Sequence, residues 1–295
     1  MSPPLIAVLA LIGLLLGWPL RALIFRYAVP ATAPPRTTCP SCGQSPDSVF
    51  ARTKPPASTS PGPVPTSPGP VPTSPGPVPT GAGRRARLAR LSARCPACDE
   101  RAGPPPLAVA ATTAAAFGAL AVRVYPAPAA YVHPGLVLAA VCWLAACSVP
   151  LVFIDAAVHR LPDVLTVPAY VGTVVLLLAA AATASPESFG TAGGHPWPVL
   201  LRAVLGGFAL AAFYFVLLLV SPASMGLGDV KLAASLGTML AWFGWRILLV
   251  GGFAGFALAG LYGAALLVTH RATRKAQIPF GPFMIAGAFL VILIR

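Results

Sequence analysis

Apolar residues in this chain come in long, nearly unbroken runs. The first extends from Leu5 to about Leu23, and others lie near 107–122, 131–154, 164–184, 198–220, 231–245, 247–269 and 280–294. Most are about 18 to 23 residues long, which suits helices crossing a hydrocarbon core about 30 Å thick. The pattern predicts an all-α membrane protein, a polytopic bundle of about eight transmembrane helices, in which the 231–245 run is short and the last run marginal. Met1–Pro4 carries no Lys or Arg and no small-residue cleavage site follows the first run, so it reads as a retained span and not as a secretory leader. Residues 26–106 break the pattern with a stretch rich in Pro, Ser, Thr and Arg. The expected organisation is a first transmembrane helix over 1–25, one large polar insert over 26–106 and a membrane core over 107–295.

Composition sharpens the class. Of 295 residues, 57% are hydrophobic and 9% charged, against roughly 25% charged in a soluble domain, which excludes a soluble globular enzyme. Charge then orients the chain. Eleven of the 20 Lys and Arg lie between Arg21 and Arg101, and Arg160, Lys231, Arg271, Arg274 and Lys275 fall in later loops on the same face, leaving only Arg123, Arg202, Arg246 and Arg295 on the other. By the positive-inside bias the insert faces the cytosol and both termini lie outside the cell membrane. The net charge of +13 and the cluster Arg84, Arg85, Arg87, Arg90 and Arg94 fit a basic loop beside anionic lipid better than a nucleic-acid site.

Within the insert, Ser-Pro-Gly-Pro-Val-Pro-Thr occurs three times in tandem between Ser60 and Thr80. Proline at nearly every second position forbids helix and sheet, so residues 58–83 read as an extended linker with no chemistry. It separates two Cys-Pro-x-Cys pairs, Cys39 with Cys42 and Cys95 with Cys98. Four thiolates in two knuckles complete a closed tetrahedral zinc site of structural type. Two disulfides, or four reduced thiols without metal, are the alternatives, and a cytosolic insert argues against disulfides. Cys142 and Cys147, inside an apolar run, read as core residues.

Seven acids are present in all. Three of them, Asp155, Asp163 and Asp229, border apolar runs, where a carboxylate is expensive to keep and marks a functional site by default. Asp155 directly follows Ile154 at the end of one span, and Asp229 directly precedes the span beginning at Val230. Two crossings separate them, so parity returns both to the same boundary. Gly226 and Gly228 precede Asp229, and glycines permit tight turns and close approach by a second chain. A helix N-terminus and Lys231 are both expected to keep Asp229 ionised, with Asp155, at an apolar helix end, as the protonated partner. One ionised and one neutral acid suit water activation and carbonyl protonation. Two boundary aspartates are equally consistent with helix caps or a transporter's proton relay. There is no His-Glu-x-x-His and no Gly-x-Ser-x-Gly, and His159, four residues after Asp155, reads as a solvated polar residue. Gly251, Gly255, Ala259 and Gly263 recur every four residues, a small-residue stripe for helix packing.

Phe153-Ile154-Asp155, Leu161-Pro162-Asp163 with Leu165-Thr166, Met225-Gly226-Leu227-Gly228-Asp229-Val230-Lys231-Leu232 and Ile278-Pro279-Phe280-Gly281-Pro282-Phe283, in that order and after two Cys-Pro-x-Cys pairs, resemble the type IV prepilin peptidase family, also called type 4 leader peptidases. The resemblance implies a membrane aspartic protease of the Gly-x-Gly-Asp type, with Asp155 and Asp229 as the catalytic pair and Asp163 shaping the site. It implies type IV prepilins or pseudopilins as substrates, cut on the cytosolic side between a basic leader and a hydrophobic helix. Bifunctional members also N-methylate the new terminus with S-adenosylmethionine and carry Asn-x-x-x-x-Arg-Leu-Pro after the first span. Here Trp18 to Pro30 contains no Asn and ends differently, so methyl transfer is the part of the family's chemistry least carried over. Two other functions compete: a proton-coupled transporter using the three acids, and a zinc-anchored scaffold recruiting a cytosolic partner.

Overall fold

A backbone surrounded by lipid finds hydrogen-bond partners only in its own turns, so each apolar run closes into a helix. The computed structural model describes residues 3–30, 32–39, 41–43, 103–124, 134–183, 196–222, 225–270 and 279–295. Among the described residues are eight helices and no strand: α1 (Pro3–Tyr27), α2 (Pro106–Val124), α3 (Pro134–Val158), α4 (Asp163–Ala182), α5 (Trp197–Val220), α6 (Leu227–Phe243), α7 (Trp245–Val268) and α8 (Gly281–Ile294). Six of them, α1 to α5 and α7, are long and apolar enough to cross a membrane. The other two, α6 with 17 residues and α8 with 14, fall short of that length. They are the two runs whose pattern already marked them as short.

Three boundaries differ from those expected, and each difference bears on function. α3 does not stop at Ile154: Asp155, Ala156, Ala157 and Val158 continue it. It ends where His159, whose N–H donates to the Asp155 carbonyl at 2.8 Å, takes a left-handed φ of 51°, the common way for a helix to stop. α6 starts at Leu227, which draws Asp229 into its first turn. α1 runs on to Tyr27, and the residues as far as Arg36 cluster with the bundle, which comprises Met1–Arg36 and Pro106–Arg295.

Residues Thr37–Pro105 form a separate unit. There Cys39 and Cys42 share a turn closed by the Gly43 N–H on the Cys39 carbonyl at 3.0 Å. Gly43 has φ 69°, a conformation glycine adopts without strain. The repeats, Cys95 and Cys98 lie outside the described residues.

In the bundle α3 is the most enclosed helix, with Cys142 and Cys147 among its buried residues. α7 is the opposite case: Phe253, Leu261 and Val268 face outward, the apolar exterior that suits a lipid bilayer. Small residues bring the helices together. A Cβ on Gly237 of α6 would lie 2.9 Å from Leu210 Cβ and 3.0 Å from the Gly206 carbonyl of α5. On α7, Gly251 abuts Leu240 of α6 and Gly255 abuts the backbone at Met284 of α8, so the small-residue stripe packs helices as expected. Arg202 of α5 donates to the Ala241 carbonyl at 2.8 Å and the Trp242 carbonyl at 2.7 Å. A cation on those last carbonyls anchors the C-terminal end of α6.

Candidate active site

The chain crosses through α4 and returns through α5 between Asp155 and Asp229, so the last turn of α3 and the first turn of α6 meet at one end of the bundle. Both carboxylates are buried, Asp155 at 5% and Asp229 at 8% exposure, and both open on a single cavity of about 590 Å³. His159, Arg160, Leu161, Pro162 and Asp163 form one side of this cavity, and Gly226, Gly228 and Lys231 another.

The four residues between α3 and α4 decide how closely the walls approach. Pro162, at φ −72° and ψ 137°, precedes α4 in an extended conformation, and this bend turns Leu161 inward to 8% exposure. Leu161 then sits against two helix starts. A Cβ on Gly228 would lie 2.7 Å from Leu161 Cβ and 3.1 Å from its carbonyl oxygen, and a Cβ on Gly281 would lie 3.5 Å from Leu161 Cδ1. Glycine at 228 is therefore a requirement of close approach. Gly226 is not so constrained: the nearest atom to a Cβ there is Asp229 Oδ2 at 3.8 Å.

Each acid is tied by one oxygen to one backbone amide. Gly226 N–H donates to Asp229 Oδ2 at 2.9 Å, the carboxylate half of a capping box that satisfies an otherwise unpaired amide. Gly281 N–H donates to Asp155 Oδ2 at 3.0 Å, across 126 residues of sequence. No hydrogen bond engages either Oδ1 among the described residues, and both side chains face the cavity.

The charges around Asp229 correct one expectation. Lys231 does not serve Asp229. Its Nζ pairs with Asp163 Oδ1 at 2.7 Å on the exposed rim, joining the first turns of α4 and α6. Without that cation, the group that orders the Asp229 carboxylate is the Gly226 amide.

Sequence reasoning singled out Asp155, Asp163, Gly226, Gly228, Asp229 and Lys231, and all six line this cavity. Cys39 and Cys42 belong to the separate unit. Two groups of residues were not singled out. Tyr27, Val29, Ala33 and Pro35 supply a further wall, because the chain leaving α1 folds back, with Arg36 N–H on the Arg26 carbonyl at 2.8 Å and Arg160 Nη1 on the Pro30 carbonyl at 3.3 Å. Composition counted those residues with the polar insert. Gly281 was quoted only as part of a motif, and its one local signal is a glycine between Phe280 and Pro282 at a helix start.

No curated protein and no solved structure matches the chain. Residues 138–268 match the Type IV leader peptidase family, and that stretch contains the last turn of α3, all of α4 to α7 and both cavity aspartates. The stretch around these two aspartates, residues 138–268, is thus similar to the type IV leader peptidase family.

Proposed function

We propose that the protein is an aspartic endopeptidase that removes the short basic leader of type IV prepilins and pseudopilins at the cytosolic face of the cell membrane. One observation carries this reading: two buried carboxylates from different helices line one cavity, and each is tied by Oδ2 to a glycine amide. Family similarity supports the peptidase class, and the carboxyl pair supports the aspartic type.

In the reaction the pair holds one proton. The ionised carboxylate takes a proton from water, the oxygen of that water bonds to the scissile carbonyl carbon, and the protonated carboxyl gives its proton to the carbonyl oxygen. The tetrahedral gem-diol collapses when the carboxyl that took the water proton gives it to the leaving nitrogen, the C–N bond breaks, and a gem-diol hydroxyl returns its proton to the other carboxylate, which restores the singly protonated pair. Burial of both acids favours sharing of a single proton, because two like charges in a dry site are costly. The proton belongs to the pair and not to either acid alone.

The cytosolic face rests on the charge bias of sixteen basic residues against four, with α6 and α8 as two short crossings that complete eight. Zinc at Cys39, Cys42, Cys95 and Cys98 is proposed as structural: the two Cys-Pro-x-Cys pairs supply four thiolates, which leave no position for substrate. Methylation with S-adenosylmethionine rests on the resemblance alone and departs from it in Trp18 to Pro30.

Co-expression with a prepilin tests the peptidase. The prepilin is expected to shift to the mass of its leaderless form, with a new N-terminus at the start of its hydrophobic segment. Proteoliposomes that instead carry pH-driven solute flux, with the prepilin left intact, would establish the transporter reading.

A further inference from the structure

The Gly-x-Gly-Asp motif accounts for how Asp229 is held. Among the described residues, none within 100 positions of Asp155 donates to its carboxylate. Its orienting partner comes from the far end of the chain, where α8 begins. The first-turn donors of α8 can be accounted for one by one. Pro282 has no N–H, the Phe283 N–H donates to the Phe280 carbonyl at 3.1 Å and the Met284 N–H to the same oxygen at 3.2 Å. The Gly281 N–H alone points outward, and it meets Asp155 Oδ2 at 3.0 Å. Pro282 thus removes the amide that follows Gly281 as a competitor for the carboxylate.

The donor is also held in place. Phe280, one residue before it, packs on Tyr214 of α5 and Phe256 of α7 at ring-centroid separations of 5.8 and 5.0 Å, and Tyr214 and Phe256 stack on each other at 5.3 Å. Two helices, α5 and α7, therefore anchor the start of α8. A side chain at 281 would displace the carboxylate, because a Cβ would lie 2.9 Å from Asp155 Oδ2 and 3.3 Å from its Cγ.

We propose that Gly281 is the positioning residue of Asp155: its amide fixes the carboxylate by Oδ2 at the cavity wall, and its missing side chain makes room for that contact. The inference rests on the aspartic reading for its effect on rate, but not for the contact itself. Gly281 and Gly226 then do the same work for the two acids, although only Gly226 belongs to the recognisable motif.

The first arm of the test is kinetic. Gly281→Ala is expected to lower kcat about tenfold with KM within twofold, because a carboxylate displaced by a fraction of an ångström misaligns the attacking water. Gly287→Ala, which crowds the Gly255 backbone two turns further along α8, is the comparator: it lowers the unfolding temperature and leaves kcat per folded molecule within twofold. The second arm needs no substrate. In hydrogen exchange, the segment Pro279–Pro282 carries only the Phe280 and Gly281 amides, and Asp155→Ala is expected to accelerate exchange there about tenfold. Unchanged exchange in Asp155→Ala, or unchanged kcat in a folded Gly281→Ala, would overturn the assignment. Absence of any prepilin cleavage by the unsubstituted protein, with exchange accelerated, would sink the peptidase reading and leave the contact standing.

Discussion

Asp155→Asn and Asp229→Asn are each expected to lower prepilin cleavage about a thousandfold or more, with insertion and folding intact. Asparagine keeps the shape of aspartate and a carbonyl oxygen for the Gly281 or Gly226 amide, so the bond that orders each side chain survives. It can neither take a proton from water nor return one to the substrate. Since both groups act in one step, the double variant should be scarcely worse than either single one, as when members of a catalytic unit are removed together. The check is the initial cleavage rate against a purified prepilin, with thermal unfolding as the control. Cleavage by either variant within tenfold of the unsubstituted protein would remove the aspartic mechanism.

Gly228→Ala is the second large effect. Its added Cβ would stand 2.7 Å from Leu161 Cβ and 3.1 Å from a backbone oxygen, and neither atom is the far end of a flexible side chain. The first turn of α6 must withdraw from the α3–α4 connection and take Asp229 with it. Overpacking of this kind costs about 1 to 3 kcal/mol of stability, and a misplaced reacting group can lose about a hundredfold in rate. Gly226→Ala, whose Cβ meets nothing closer than 3.8 Å, is expected to lose markedly less. Rates and unfolding temperatures of the two variants, measured side by side, decide the point: equal losses would mean that the motif's glycines matter for backbone freedom and not for the approach of Leu161.

The helices were legible because hydrocarbon makes the rule simple: an apolar run must satisfy its own backbone, so eight runs became eight helices. Their ends were harder to read, because hydropathy stops at the first charge while the backbone does not. Asp155 therefore lies inside α3 and Asp229 inside α6, each one helical turn further in than the pattern implied. The acids were legible for the same reason as the runs, since a carboxylate beside an apolar segment needs a purpose. Lys231 was misread because adjacency in sequence is not adjacency on a helix. Two residues after Asp229, its side chain points to another side of α6 and reaches Asp163 of α4.

By itself, the sequence determined the helical class, the order of the elements, the identity of the two acids and the need for a tight turn before Asp229, since each follows from local composition and spacing. Only the tertiary structure decided what surrounds those acids: the Leu161 wedge, the residues after α1 that complete the cavity, the Lys231–Asp163 pair on its rim and the Gly281 amide on Asp155. These are contacts between segments up to 126 residues apart. No local periodicity encodes them, because they depend on which helix starts are packed side by side.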